Sequence, residues 1–236
     1  MKISELLLQE NQIKENILSF INSPNFDTNL GKNWYQNAQS DLREILAELG
    51  LTERLFIGEI ALICSILSPS NRWETNLKDT KSVLENHFCK GTNGTFYTYG
   101  PNVAKANKFL SERAEYRVKN SHKTVFGVFN DFSRNWAETN MKAPKTYNFY
   151  HNLTNPFYYG NFFTIDRHML KVAGLEVLSL KGKQYDILKT WFIQVMKSDK
   201  RFFDTDKLSS ESFRPCQFQS VLWANYVFIK RGILHY

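Results

Sequence analysis

Cysteine is scarce in this chain and none of it is paired. Cys64, Cys89 and Cys216 are the only three in 236 residues, and no two stand in a Cys-x-x-Cys arrangement. That argues against a disulfide framework, a zinc site or an iron–sulfur cluster, and it suits a reducing compartment. Long apolar runs are also missing: no stretch approaches the roughly 18 residues that span a bilayer. The opening "MKISELLLQENQIKEN" is amphipathic and contains acids, without the apolar core of a signal peptide. The chain is therefore expected in the cytoplasm, or associated with the nucleoid. Glycine (11) and proline (6) are few and nowhere gather into a linker, and no repeat or low-complexity tract is present. No metal and no cofactor is expected.

What is present is apolar and basic. Hydrophobic residues make up 42% and aromatics 15%, enough to build a sizeable core and to exclude a disordered chain. Lys and Arg outnumber Asp and Glu by 30 to 23, a net charge of +7. The excess is modest and favours a polyanionic partner.

Helical periodicity dominates. Leu6, Leu7, Ile13, Ile17, Leu18 and Ile21 mark a first helix, and a second runs from about Trp34 to Leu49 with Gly50 as its stop. "TERLFIGEIALICSILS" (52–68) opens on a Thr cap and is apolar nearly all round, which predicts a buried central helix. Helical spacing continues from Trp73 to Leu84, and again behind Pro101. Further helices are expected from Pro144, over about 183–198 and over 215–231. Residues 123–136 fit either a strand or an aromatic helix. The fold class is all-α, with at most a short hairpin around 92–99 or 123–130. The expected organisation is two-lobed with a cleft between lobes. In it 52–140 forms a central lobe, 141–175 a hairpin-like segment, and 1–50 packs with 176–236.

One stretch turns abruptly from apolar to ionisable. In "NFFTIDRHML", Asp166, Arg167 and His168 follow directly on Phe162, Phe163 and Ile165. Asp166 is a favoured N-cap for a short helix that Gly174 closes. The same position would also hold a carboxylate rigidly for chemistry. Lys145 stands 21 positions earlier, next to Pro144 at another expected helix start.

Four pieces in order, "ICSILSPSNRWETNLKDTKSVL", "YGPNVAKANKFL", "MKAPKTYNFYHNL" and "FFTIDRHMLKVAGL", together resemble the helix-hairpin-helix DNA glycosylase superfamily. Its members typically read "ILSQQT", "LPGVGRKTA" and "VDTHVxRVxxRLG" where this chain reads "ILSPSN", "NMKAPKTYN" and "IDRHMLKVAGL". The resemblance covers roughly residues 55–175 and implies flipping of a nucleotide out of double-stranded DNA. Asp166 would then stabilise the positive charge on the sugar as the base leaves. Lys145 would attack the anomeric carbon in a Schiff-base (AP lyase) route, which requires a deprotonated amine.

By the same resemblance Asn71 and Arg72 fill the gap left by the flipped base, and Ser70 beside them joins the DNA-binding residues. The hairpin glycines of the family are missing from 140–144, which leaves Lys142, Ala143 and the N–H groups near Thr146 as phosphate contacts. His168, one turn inside its helix, marks the family and is placed with the DNA-binding residues; local packing or bonding is its expected role. The departures fit a phage or mobile-element branch acting on unusual bases, in base hypermodification or in defence against it. The chain is expected to act as a monomer. The alternative from another class is a helix-hairpin-helix fold used only for DNA binding, in which Lys145 and Asp166 are structural.

Overall fold

The computed structural model describes residues 1–89, 95–120, 125–158, 160–205 and 212–231, and for 125–130 and 231 only the backbone. The fold is all-α: among the described residues there are eleven helices and no strand. In chain order they are α1 (Ile3–Leu8), α2 (Glu10–Ile21), α3 (Trp34–Glu48), α4 (Ile57–Leu67), α5 (Trp73–Phe88), α6 (Gly100–Lys119), α7 (Val125–Asn140), α8 (Pro144–Thr154), α9 (Arg167–Val172), α10 (Lys183–Ser198) and α11 (Pro215–Arg231). The ambiguous 123–136 stretch is thus helical from Val125. Of the suggested hairpin at 92–99, residues 92–94 lie outside the described residues and 95–99 form no strand. Among the described residues no helix is long and apolar enough to cross a membrane.

Two helix boundaries differ from expectation. The first helix is interrupted at Gln9 (φ −98°, ψ 3°), whose N–H turns back to Leu6 O at 3.0 Å while its carbonyl restarts the ladder at Ile13 N. The buried helix begins at Ile57 rather than behind Thr52. The Glu59 carboxylate accepts the Phe56 N–H at 2.8 Å, so the cap comes from inside the first turn.

The chain divides into two compact units, residues 1–36 with 155–236, and residues 37–154. The boundaries fall at 36/37 and 154/155, whereas the expected grouping joins 1–50 with 176–236 and sets 141–175 apart. α8 therefore belongs to the second unit and α9 to the first.

In the unit 37–154, α4 is the central element, packed by α5, α6, α7 and α8. Every residue from Gly58 to Leu67 is buried, which its all-round apolar sequence requires. Its one acid, Glu59, is fully buried and receives the Arg113 guanidinium of α6, Nε on Oε1 and Nη2 on Oε2 at 3.2 Å. Arg113 Nη2 also donates to the Arg54 carbonyl. Burial pushes the Glu59 carboxyl upward, against the pull of Arg113.

The other unit gathers α1, α2, α9, α10 and α11 around Ile13, Ile17, Phe163, Leu170, Phe192 and Phe218. Each such side chain contributes about 1.5–3 kcal/mol by leaving water. Tyr185 of α10 ties the extended segment before α9: its hydroxyl donates to Phe163 O (3.0 Å) and accepts from Ile165 N (2.8 Å). Burial drives that phenol well above its ordinary range.

Candidate functional site

Asp166 sits at the N-cap of α9 with extended backbone (φ −109°, ψ −173°). Its Oδ1 accepts the N–H groups of His168 at 2.9 Å and Met169 at 3.0 Å. Its Oδ2 lies 3.1 Å from His168 Nδ1, and the two side chains retain 19% and 25% of their exposure. The far end of α9 is equally well closed. Gly174 adopts φ +73°, and the amides of Gly174 and Leu175 reach Lys171 O (3.0 Å) and Leu170 O (2.8 Å). A left-handed residue at this position is the usual reason for glycine. Asn16 of α2 adds Nδ2 on Ala173 O at 3.1 Å.

The His168 ring meets two aromatic rings of α11, Tyr226 at 5.5 Å and Trp223 at 6.3 Å between centroids. Trp223 in turn meets Trp34 at 6.0 Å, and Tyr226 meets Phe20 at 6.2 Å. Asp166 and His168 therefore form one pair, set against a half-buried aromatic wall. Arg167 between them is exposed.

The other expected residues belong to the unit 37–154. Lys142, Ala143 and Lys145 are exposed around the start of α8, with Thr146 half-buried. Ser70 is exposed and holds φ +68°, the one non-glycine residue in the left-handed region among the described residues. Arg72 is exposed at the N-cap of α5. The Asn71 amide is directed inward, donating to Leu67 O at 3.1 Å and Asp79 Oδ2 at 2.9 Å.

Five residues stand outside those expected from the sequence. Asp79, fully buried, holds Asn71 on one oxygen and accepts Tyr97 N on the other at 2.8 Å. Thr98 turns its hydroxyl onto Leu67 O at 3.0 Å. The flanking Tyr97 and Tyr99 are 66% and 64% exposed, as an extended segment with an inward Thr98 requires. The alternation Tyr-Thr-Tyr and the polar residues Asn76, Asp79 and Thr80 on one helical stripe were the available signals. The fifth is Lys105, part-buried with Nζ on Asn140 O at 2.7 Å. Burial first, then Lys108 and Lys142, hold its amine below the ordinary lysine range.

A cavity of about 390 Å³ runs along α10, lined by Asn161, Asp186, Lys189, Thr190, Ile193, Gln194 and Lys197, and it takes in none of the expected residues. Among the described residues no group of three His, Cys, Asp or Glu side chains could hold a metal ion. No curated protein and no solved structure matches the chain. A family model does, from residue 2 to residue 227, nearly the whole length. The chain belongs to that family, a family of unknown function (DUF7178).

Proposed function

We propose that the chain removes a damaged or modified base from double-stranded DNA, as an N-glycosyl hydrolase. The observation that carries this reading is the fixed, part-exposed carboxylate of Asp166. It is held by two backbone amides and an imidazole beside an aromatic wall. A carboxylate so restrained stabilises an adjacent sugar cation without the cost of reorganising at the moment of reaction. In the other unit, Ser70, Arg72, Tyr97 and Tyr99 form an exposed surface on a backbone that buried Asp79 and Leu67 O hold in place. That surface suits a residue inserted where a nucleotide leaves the stack. Lys142 and the start of α8 would face phosphate, and Lys145 would supply the amine of a lyase step.

The test is a series of duplex oligonucleotides, each carrying one altered base such as uracil, 5-hydroxymethyluracil or 8-oxoguanine. Release is scored as alkali-labile strand breaks. Activity on at least one, abolished by Asp166→Asn with duplex affinity retained, is the expected result. Silence across the series refutes it. Borohydride present during turnover traps a protein–DNA adduct only if an amine attacks, and Lys145→Gln removes that adduct only if the amine is Lys145.

A second reading has an observation of its own. Both oxygens of Asp166 are engaged within its own helix start, as a purely structural cap would have them. Duplex binding that survives Asp166→Asn, without base release from any duplex, would make this a DNA-binding protein.

A further inference from the structure

The Asp166 carboxylate is almost used up by the fold. Oδ1 takes two amide protons and Oδ2 faces an imidazole nitrogen. An ionised carboxylate offers about four lone-pair sites, so at least three are spent before any substrate arrives. The unspent group is on the other side of the pair. With the Asp166 carboxylate opposite Nδ1, the neutral imidazole carries its proton there, which puts the lone pair on Nε2. Nε2 has no hydrogen-bond partner among the described residues, and the side chain is 25% exposed. Tyr226 and Trp223 meet the ring edge to face.

We propose that His168 is the catalytic base of this site and that Asp166 is its positioning residue. The proposal rests on the base-excision reading above and adds to it which atom takes the proton. A water placed at Nε2 attacks the anomeric carbon of the sugar. The new C–O bond forms as the C–N bond to the base breaks, and its electron pair leaves with the base. The water proton passes to Nε2, and the resulting imidazolium is held by the Asp166 carboxylate through Nδ1–H. That proton then goes to the departing base, so the products are the neutral base and a sugar hydroxyl, and no amine enters the step.

The decisive variant is His168→Asn. Its side-chain amide can still donate to Asp166 Oδ2 as Nδ1–H does, so the cap is kept, while the atom at Nε2 is deleted. On whichever duplex of the series the full-length protein acts, His168→Asn and His168→Gln are expected to lower kcat by about 10²–10⁴-fold with KM unchanged. Added imidazole is expected to restore part of the rate to His168→Ala and none to Asp166→Ala, which still owns its ring. Thermal melting of each variant reports folding, and whichever of the three His168 variants melts with the parent decides the result. A folded variant within about threefold of the parent kcat, or His168→Ala with no response to imidazole, overturns the proposal and leaves base excision standing with Asp166 as its catalyst. Silence of the parent on every duplex overturns both.

Discussion

Glu59 and Arg113 are the sharpest test of how the unit 37–154 is held together. Both are buried, the carboxylate side chain at 0% and the guanidinium at 4% of full exposure. Glu59→Gln keeps an oxygen for the Phe56 amide but leaves the Arg113 cation buried without its counter-charge. Arg113→Met does the reverse and strands the Glu59 anion. Removing one member of a buried pair costs about 3–5 kcal/mol. Each single variant should therefore melt roughly 6–20 °C lower for a chain of this size.

The double variant Glu59→Gln/Arg113→Met has no buried charge at this place. What it still loses includes the Arg113 donor to the Arg54 carbonyl, about 1–3 kcal/mol. The double variant is thus expected to be more stable than either single one. Urea titration of the four proteins, read as a thermodynamic cycle, gives the comparison. Simple additivity, with the double variant down by about 6–10 kcal/mol, would refute the reasoning. It would mean that the two side chains stabilise through packing rather than through charge.

Gly31 holds φ +80°, and a Cβ there would lie 2.6 Å from Ala224 Cβ and 2.7 Å from Ser220 O, both on α11. Gly31→Ala should cost about 2–5 kcal/mol of unfolding free energy by denaturant titration, from overpacking plus a left-handed alanine; a neutral substitution would refute this. Burial, helped by Arg134, holds His151 neutral down to about 4 against its ordinary 6.5. The unfolded chain therefore binds this proton first. The stability due to His151 is complete above pH 6.5 and declines as pH falls towards 4, by up to about 1.4 kcal/mol per unit for one proton. His151→Gln should flatten that part of a melting-temperature profile. Cys64 and Cys216 are buried and their thiols are pushed up to about 12, while Cys89 is exposed. Native protein should take up one iodoacetamide promptly and three after unfolding; two fast adducts would contradict the burial.

Much of the architecture was legible because its signals are local. Pro144, Asp166 and Pro215 each open the helix that their residue type favours, and Gly174 closes α9. What escaped depends on partners distant in sequence. The start of α4 is displaced from Thr52 because Glu59 is needed for both Phe56 and Arg113, the latter 54 positions away. The Asp79 clamp joins residues 18 positions apart, and the Thr98 bond spans 31. Such pairs leave no periodic trace, only polar residues on a stripe that should be apolar. At the candidate site the cap could be read from the letters, but the aromatic wall could not. Trp223 reads as a core residue in sequence, yet it is half-buried and meets His168.

The arrangement around α9 follows from its length. Six residues cannot sustain a helix alone, since nucleation fixes several residues before the ladder repays it. The helix exists because both ends are satisfied and because α11 and α2 cover it. Tyr185 fixes the strand-like approach, Asp166 supplies the first amides with an acceptor, and Gly174 turns the last carbonyls inward. A longer helix would not need its cap so badly, and its cap could move. Here the position of Asp166, and through it the ring of His168, is a condition for α9 to form at all. The same requirement separates two properties at one residue. Asparagine is as good an N-cap as aspartate, so Asp166→Asn spares the fold, whereas Asp166→Ala loses about 0.5–2 kcal/mol. Any activity lost equally by both variants therefore belongs to the charge that orients His168 and not to the stability of the helix.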